Sequence, residues 1–287
     1  MSADTYRARK HYMVGNTAGR HGRVAVVTGG ASGIGLAFAR AYAAKGAHVV
    51  IGDIDEAAME QARVQLSESG AAVDCVPVDL QVAASIAHLA EVATGFGALA
   101  AVCLNAGVAA SGTPVWETPD DIYEFVVGVN LHGLFRSIKT FVPILVNQGV
   151  PADLVITASM GGMVATAYGG AYAASKAAAI ALAKSLRVEL STLAPAIRIA
   201  VLNPGVVATN LMRTSAARLP NGTAMAVELV EGSHDFLNQT GVEPDVAVSW
   251  ALRALEDGTF WALPPSEDPF AQMLAAEHAE IRGLSSS

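Results

Sequence analysis

The chain has 287 residues, 52% of them apolar and 15% charged. It is long enough to bury a large core and too apolar to be a disordered polar chain. Eighteen Lys and Arg against 26 Asp and Glu leave a formal charge of −8, which argues against nucleic acid or an anionic membrane as principal partners, since both want a basic surface.

Residues 1–22 are polar and aperiodic and read as a flexible leader; Arg7, Arg9 and Lys10 come with no apolar stretch, so no secretory signal is expected. From Arg23 onward, strand and helix patterns alternate. Val24–Thr28 is a β-branched strand, Ile34–Lys45 a helix ending at Gly46, and His48–Asp53 a second strand. Glu56–Ser69 is an amphipathic helix, Val73–Val78 a strand, Val82–Thr94 a helix and Ala100–Leu104 a strand. Thr118 as cap and Pro119 at the first helical position start a helix that runs, with a break allowed, to Asn147. Leu154–Ala158 is the fifth strand, followed by a long helix to Leu193 and a sixth strand, Ile197–Leu202. Pro244–Leu255 is a helix, Thr259–Leu263 a seventh strand and Asp268–Ile281 a last surface helix.

Strands made of continuous apolar residues and alternating with helices imply a parallel sheet covered on both faces. The expected fold is α/β, a doubly wound Rossmann fold with a seven-stranded parallel sheet. Residues 23–287 form one expected catalytic domain, with an irregular lid insertion at about 209–241. Two uncharged windows, Val92–Trp116 and Leu154–Ser175, have transmembrane length, but each contains four glycines; both read as strand, loop and helix, and no membrane is expected. Cys75 and Cys103 form no CxxC or zinc spacing and sit in strand-like runs, as buried thiols of a cytoplasmic protein would. The seven histidines show no ligand pattern, so no metal is expected.

The first strand ends in Thr28-Gly29-Gly30-Ala31-Ser32-Gly33-Ile34-Gly35 and runs straight into a helix. Glycine permits the tight turn and close approach of a pyrophosphate, and the helix N-terminus offers free N–H groups to it. Asp53, 18 residues past Gly35, ends the second strand, where a carboxylate accepts hydrogen bonds from ribose hydroxyls and repels a 2′-phosphate. The expected cofactor is therefore NAD in preference to NADP. Tyr172 and Lys176 are four apart on a helix and share a face, while Ser159 closes the fifth strand at the same sheet edge. A phenol titrates near 10; a neighbouring Lys⁺ and an oxidised nicotinamide both favour its ionised form.

Together these motifs resemble the short-chain dehydrogenase/reductase family, in its roughly 250-residue TGxxxGxG and YxxxK form. The resemblance rests on TGGASGIG at 28–35, Asp79-Leu80, Asn105-Ala106-Gly107, Asn130, Ser159, Tyr172 and Lys176, and Pro204-Gly205 with Thr209. It implies Tyr172 as general acid/base, Lys176 as the group that binds the nicotinamide ribose and lowers the Tyr172 pKa, and Ser159 as the holder of the substrate oxygen. It implies a water relay supported by Asn130. Asp79 and Leu80 would contact adenine, Asn105 and Gly107 line the cofactor cleft, and Val207 and Thr209 meet the nicotinamide amide and phosphates; Gly29, Ser32, Gly33, Ile34 and Gly35 complete the cofactor site.

The expected activity is NAD-dependent interconversion of a hydrophobic, aromatic or alicyclic secondary alcohol and its ketone. Its pocket is expected to draw Met160, Met163, Val164 and Tyr168 from before the catalytic helix, and Val108 from after the fourth strand. Val206, Leu211, Met212, Met225, Phe236 and Leu237 would come from the insertion. Arg213, Arg218 and His234 read as solvated surface groups, and the tail beyond Leu263 as remote from the core motifs. Alternatives are a cofactor-binding regulator or scaffold without turnover, and a non-redox epimerase. The alanine-rich helix from Tyr172 suits close helix contact, and the family resemblance implies a homodimer or homotetramer.

Overall fold

The computed structural model describes residues 23–110, 112–164, 167–220 and 227–283. The expected leader, residues 1–22, lies outside the described residues, as does Met225. Seven parallel strands form one sheet in the order β3-β2-β1-β4-β5-β6-β7. They are β1 (Val24–Thr28), β2 (His48–Asp53), β3 (Val73–Pro77), β4 (Leu99–Leu104), β5 (Ala152–Thr157), β6 (Ile197–Leu202) and β7 (Trp261–Ala262). β1 and β5 are buried along their whole length, which explains why their apolar runs do not alternate.

Helices cover both faces. On one face α1 (Gly33–Ala44), α2 (Glu56–Glu68) and α9 (Pro244–Glu256) bury Phe38, Leu66, Val248 and Leu255 against Val27, Ile51 and Leu202. On the other, α3 (Ala83–Phe96), α5 (Leu134–Gln148) and α6 (Gly170–Leu193) bury Ile86, Leu89, Phe141, Leu145 and Ile180 against Val26, Val102 and Ile156. The chain winds outward from β1 to β3, then crosses back to β4 beside β1. That reversal opens a crevice above the strand C-termini, where α/β sheets bind ligands.

Several boundaries differ from the sequence reading. A 3₁₀ turn at Val115–Glu117 precedes the helix expected from Thr118, which itself starts at Asp120 with Pro119 rather than Thr118 as its cap and is divided into α4 (Asp120–Val127) and α5. Between α4 and α5 the chain widens into a π turn, Gly128–Gly133. This turn is pressed against the Asp79–Gln81 loop, for a Cβ at Gly133 would lie 2.7 Å from the Leu80 Cβ. The seventh strand pairs only over Trp261–Ala262. The insertion is not irregular throughout, for it contains α7 (Leu211–Ala216) and α8 (Val227–Thr240). The tail forms α10 (Pro269–Ile281). Cys75 is half-buried and Cys103 buried; burial pushes the Cys75 thiol up to about 12 and raises that of Cys103, so both stay neutral.

Candidate active site

The crevice is a cleft of about 1230 Å³. An ordinary small-molecule pocket holds about 300–1,000 Å³, so this one has room for a dinucleotide and a second molecule. Its floor is the turn after β1. Gly29 is left-handed at φ 63°, and a Cβ there would stand 2.7 Å from the Ala106 Cα; Gly33 is left-handed at φ 51°. Gly35 does not line the cleft. A Cβ on it would fall 1.9 Å from the Gly29 carbonyl oxygen, so it lets α1 lie on the turn. Ser32, the N-cap of α1, spends no side-chain oxygen on the helix, and Ser32, Gly33 and Ile34 face the cleft. The first-turn N–H groups of α1 are thus left for a ligand, and the positive end of the helix favours an anionic one.

Asp53 lines the same cleft and also braces the turn. One carboxylate oxygen accepts from Ala31 N–H at 3.1 Å and the other from Asp55 N–H at 3.1 Å. Across β1, Asn105 donates its side-chain N–H to the carbonyls of Thr28 and Gly29, both at 3.3 Å, while Thr28 Oγ1 accepts from Asn105 N–H at 2.9 Å. Asp79 Oδ1 accepts from Gln81 N–H at 2.9 Å, which sets the loop that carries Leu80. Asp79, Leu80, Asn105, Gly107, Val207 and Thr209 all line the cleft.

At the other end stand Ser159, Tyr172 and Lys176. Ser159 ends the segment after β5 in extended conformation, and its Oγ accepts from Gly161 N–H at 3.0 Å. It also hydrogen-bonds the Tyr172 hydroxyl, which lowers the phenol pKa. Burial outweighs that bond and pushes the phenol above its ordinary value. Lys176 stands beside the phenol: its Nζ lies 5.6 Å from the centre of the Tyr172 ring and donates to the Thr157 carbonyl at 3.2 Å. Burial depresses Lys176 to about 8.

Asn130 is buried beside this end. It does not line the cleft, and its amide is consumed by the protein: Oδ1 accepts from Val108 N–H at 2.8 Å, while Nδ2 donates to the Val108 carbonyl at 2.8 Å and to Ser175 Oγ at 3.0 Å. These bonds tie the Asn130 side chain to Val108 and to Ser175, so it braces the segment after β4 against α6. It still sits beside the lysine, for a Cβ at Gly107 would meet Asn130 Oδ1 at 3.1 Å and Lys176 Nζ at 3.2 Å.

Of the residues expected in the substrate pocket, Val108, Val206, Leu211, Met212, Phe236 and Leu237 line the cleft. Met160, Met163, Val164 and Tyr168 do not line it. Past Ser159 the chain turns down as a 3₁₀ turn, Met160–Gly162, against α6, which buries Met160 and Val164 and packs Met163 on the core; Tyr168 points to solvent. Arg213 pairs with Glu231 and lies off the cleft, as does His234, which is buried beside Asn238. Arg218 does line the cleft, and its guanidinium reaches Asp55 at 3.4 Å. The tail is not remote: Phe270 lines the cleft, and Asp268 lies against Gly205. Neither contact carries a sequence signal.

The short chain dehydrogenase family model matches residues 23–219, and the chain belongs to that family. It is 41% identical over 214 residues to a 1-deoxy-11-beta-hydroxypentalenate dehydrogenase of Streptomyces exfoliatus, covering 73% of this chain and 77% of that one. It is 31% identical over 249 residues to a C alpha-dehydrogenase of Sphingobium sp., covering 85% and 81%. Among solved structures it matches a short chain dehydrogenase/reductase from Burkholderia phymatum in complex with NAD at a TM-score of 0.84 and 27% identity, over 92% and 96% of the two chains. NAD, the cofactor expected from the glycine-rich turn and Asp53, is the one bound in that structure. Among the described residues no helix is long and apolar enough to cross a membrane, and no three His, Cys, Asp or Glu side chains are grouped to hold a metal ion.

Proposed function

We propose that this protein oxidises a hydrophobic secondary alcohol to its ketone, and reverses that reaction, with NAD as cofactor in preference to NADP. The observation that carries the proposal is the meeting of Ser159, Tyr172 and Lys176 at one end of a cleft whose other end is the glycine-rich turn. When bound, NAD supplies the carbon that accepts or returns a hydride. Ser159 Oγ holds the substrate oxygen, and the Tyr172 oxygen takes the hydroxyl proton during oxidation and gives it back during reduction. Lys176 keeps a positive charge near the phenol, which favours its ionised form, and can donate to ribose hydroxyls. The first-turn N–H groups of α1 hold the phosphates, and Asp53 keeps spare lone pairs for the adenosine ribose; its charge opposes a 2′-phosphate.

Three further readings go with this one. Residues 23–287 act as one catalytic domain, with α7 and α8 as a lid. The protein works in the cytoplasm as a homodimer or homotetramer. The face of α6 that exposes Ala174, Ala177 and Ala181 supports the assembly, since small side chains allow close helix approach. The ring-bearing secondary alcohols implied by the names of the pentalenate relatives fit the apolar end of the cleft.

The test is reduction of NAD⁺ followed at 340 nm against secondary alcohols, with Tyr172→Phe alongside. Turnover that disappears in the variant supports the assignment. Equal turnover in both, or higher catalytic efficiency with NADP⁺, overturns the corresponding part of it.

A further inference from the structure

We infer that Phe270, the second residue of the tail helix α10, is a specificity-determining residue that closes the substrate end of the cleft; the inference rests on the proposed alcohol-oxidising reading. Phe270 is half-buried and lines the cleft, although it lies beyond residues 23–219, to which family membership extends. Family membership therefore does not supply it.

Its position is built by two contacts. Asp268 caps α10, accepting from Phe270 N–H at 2.8 Å and from Ala271 N–H at 3.4 Å. The same carboxylate is seated on the Pro204-Gly205 turn, where a Cβ at Gly205 would stand 2.7 Å and 2.9 Å from its two oxygens. Only glycine leaves room for that carboxylate. α10 also packs on the 3₁₀ turn Met160–Gly162, which begins directly after Ser159. Phe270 thus enters the cleft from a helix held against both the turn that follows Ser159 and the Gly205 turn.

An aromatic side chain here does two things. It shields that end of the cleft from water, and it offers a flat apolar surface to whatever the substrate carries beyond its carbinol carbon. Every charged side chain that lines the cleft, apart from Lys176, belongs to the opposite end: Asp53, Asp55, Asp79 and Arg218. The group that meets Phe270 is therefore uncharged and apolar, and a ring uses the surface best. A short alkyl group would leave most of it uncovered.

The experiment compares 1-phenylethanol with propan-2-ol, each with NAD⁺, in the wild type, Phe270→Ala, Phe270→Leu and Asp268→Ala, with Tyr172→Phe as control. NADH affinity is measured by its fluorescence in every variant, and folding by circular dichroism. The expected result is an approximately tenfold fall in the kcat/KM preference for the ring alcohol in Phe270→Ala, the size that loss of one or two apolar contacts gives in a pocket. The change should lie in KM, with NADH affinity within about twofold of wild type. Phe270→Leu should keep most of the preference, and Asp268→Ala should lose part of it by loosening the cap without touching the ring. An unchanged preference in Phe270→Ala, with Tyr172→Phe inactive, overturns the inference and leaves the alcohol-oxidising reading standing. Loss of NADH affinity in Phe270→Ala also overturns it, by placing the ring at the cofactor. No turnover of either alcohol by the wild type overturns the underlying reading and this inference with it.

Discussion

Arg218, in the segment that follows α7, reaches across the cleft to Asp55, the cap of α2, at 3.4 Å. The two side chains come from opposite walls, so their ion pair spans the mouth above the adenosine end. Both are about a third exposed, at 30% and 40%, which limits the pair to roughly 1 kcal/mol or less. Arg218→Ala is expected to speed NADH release by about two- to fivefold, since 1 kcal/mol is about fivefold. Stopped-flow displacement of NADH would measure it. Asp55→Asn should act in the same direction, the double variant should add little, and the wild-type rate should rise with salt. A strictly additive double variant would mean that the pair does not bridge the cleft.

The protonation of Tyr172 sets opposite pH trends for the two directions of reaction. Oxidation needs the ionised oxygen as base, and burial holds the phenol above its ordinary value, so the oxidation rate should climb as pH rises from 6 through neutrality. Reduction needs the protonated phenol and should not gain over that range. Removing the Ser159 hydroxyl removes the bond that favours the phenolate, so Ser159→Ala should move the oxidation profile to higher pH as well as lower its height. Initial rates over a pH series, in both directions, would decide.

Lys176 carries a cost that its function requires. Its pKa is lowered from 10.5 to about 8 by burial, so the unfolded chain holds the proton more tightly than the folded one. Below about 8 both states are charged and the full penalty applies, up to about 3 kcal/mol. Between about 8 and 10.5 the folded state sheds its proton first, and stability from this group rises with pH. Lys176→Met should therefore be inactive yet more stable at pH 7, by less than that bound, because the Thr157 carbonyl loses its donor. The stability advantage should shrink as pH passes 8. Urea denaturation at pH 7 and pH 10 would show whether it does.

Asn130 should behave as a brace. Asn130→Ala strips three buried hydrogen bonds and leaves both backbone groups of Val108 unpaired. At about 1–3 kcal/mol for each unsatisfied group, the loss is roughly 3–5 kcal/mol. The melting temperature should fall by roughly 10 °C, at about 2–4 °C per kcal/mol for a chain of this size. A variant that melts like the wild type but turns over slowly would return Asn130 to a direct role.

The sheet was legible because parallel strands covered on both faces are buried along their whole length, as β1 and β5 are, and so carry near-continuous apolar runs. The glycine-rich turn, Asp53, Ser159, Tyr172 and Lys176 were legible because their spacing carries chemistry. The helices of the insertion were not, because α8 mixes Gly232 with charged residues and has Arg213–Glu231 as a partner-dependent tie to α7. A break in the helix to Asn147 was allowed for, but its place at Gly128–Gly133 was not legible, because the close approach of Gly133 to Leu80 exists only in the folded chain. Phe270 was invisible for the same reason. It is one aromatic residue in a helix that buries none of its own, and only the seat of Asp268 on Gly205 gives it a place.

Asp53 serves the turn and the cleft with one carboxylate. The bonds from Ala31 and Asp55 that fix the glycine-rich loop end on the same atoms that face the adenosine end. A basic residue introduced there to welcome a phosphorylated ribose would also unhook the loop. A lineage drifting toward the other dinucleotide would need a second substitution to re-tie Ala31 before the first became useful. The cofactor preference proposed for Asp53 is in this sense tied to the backbone of the turn.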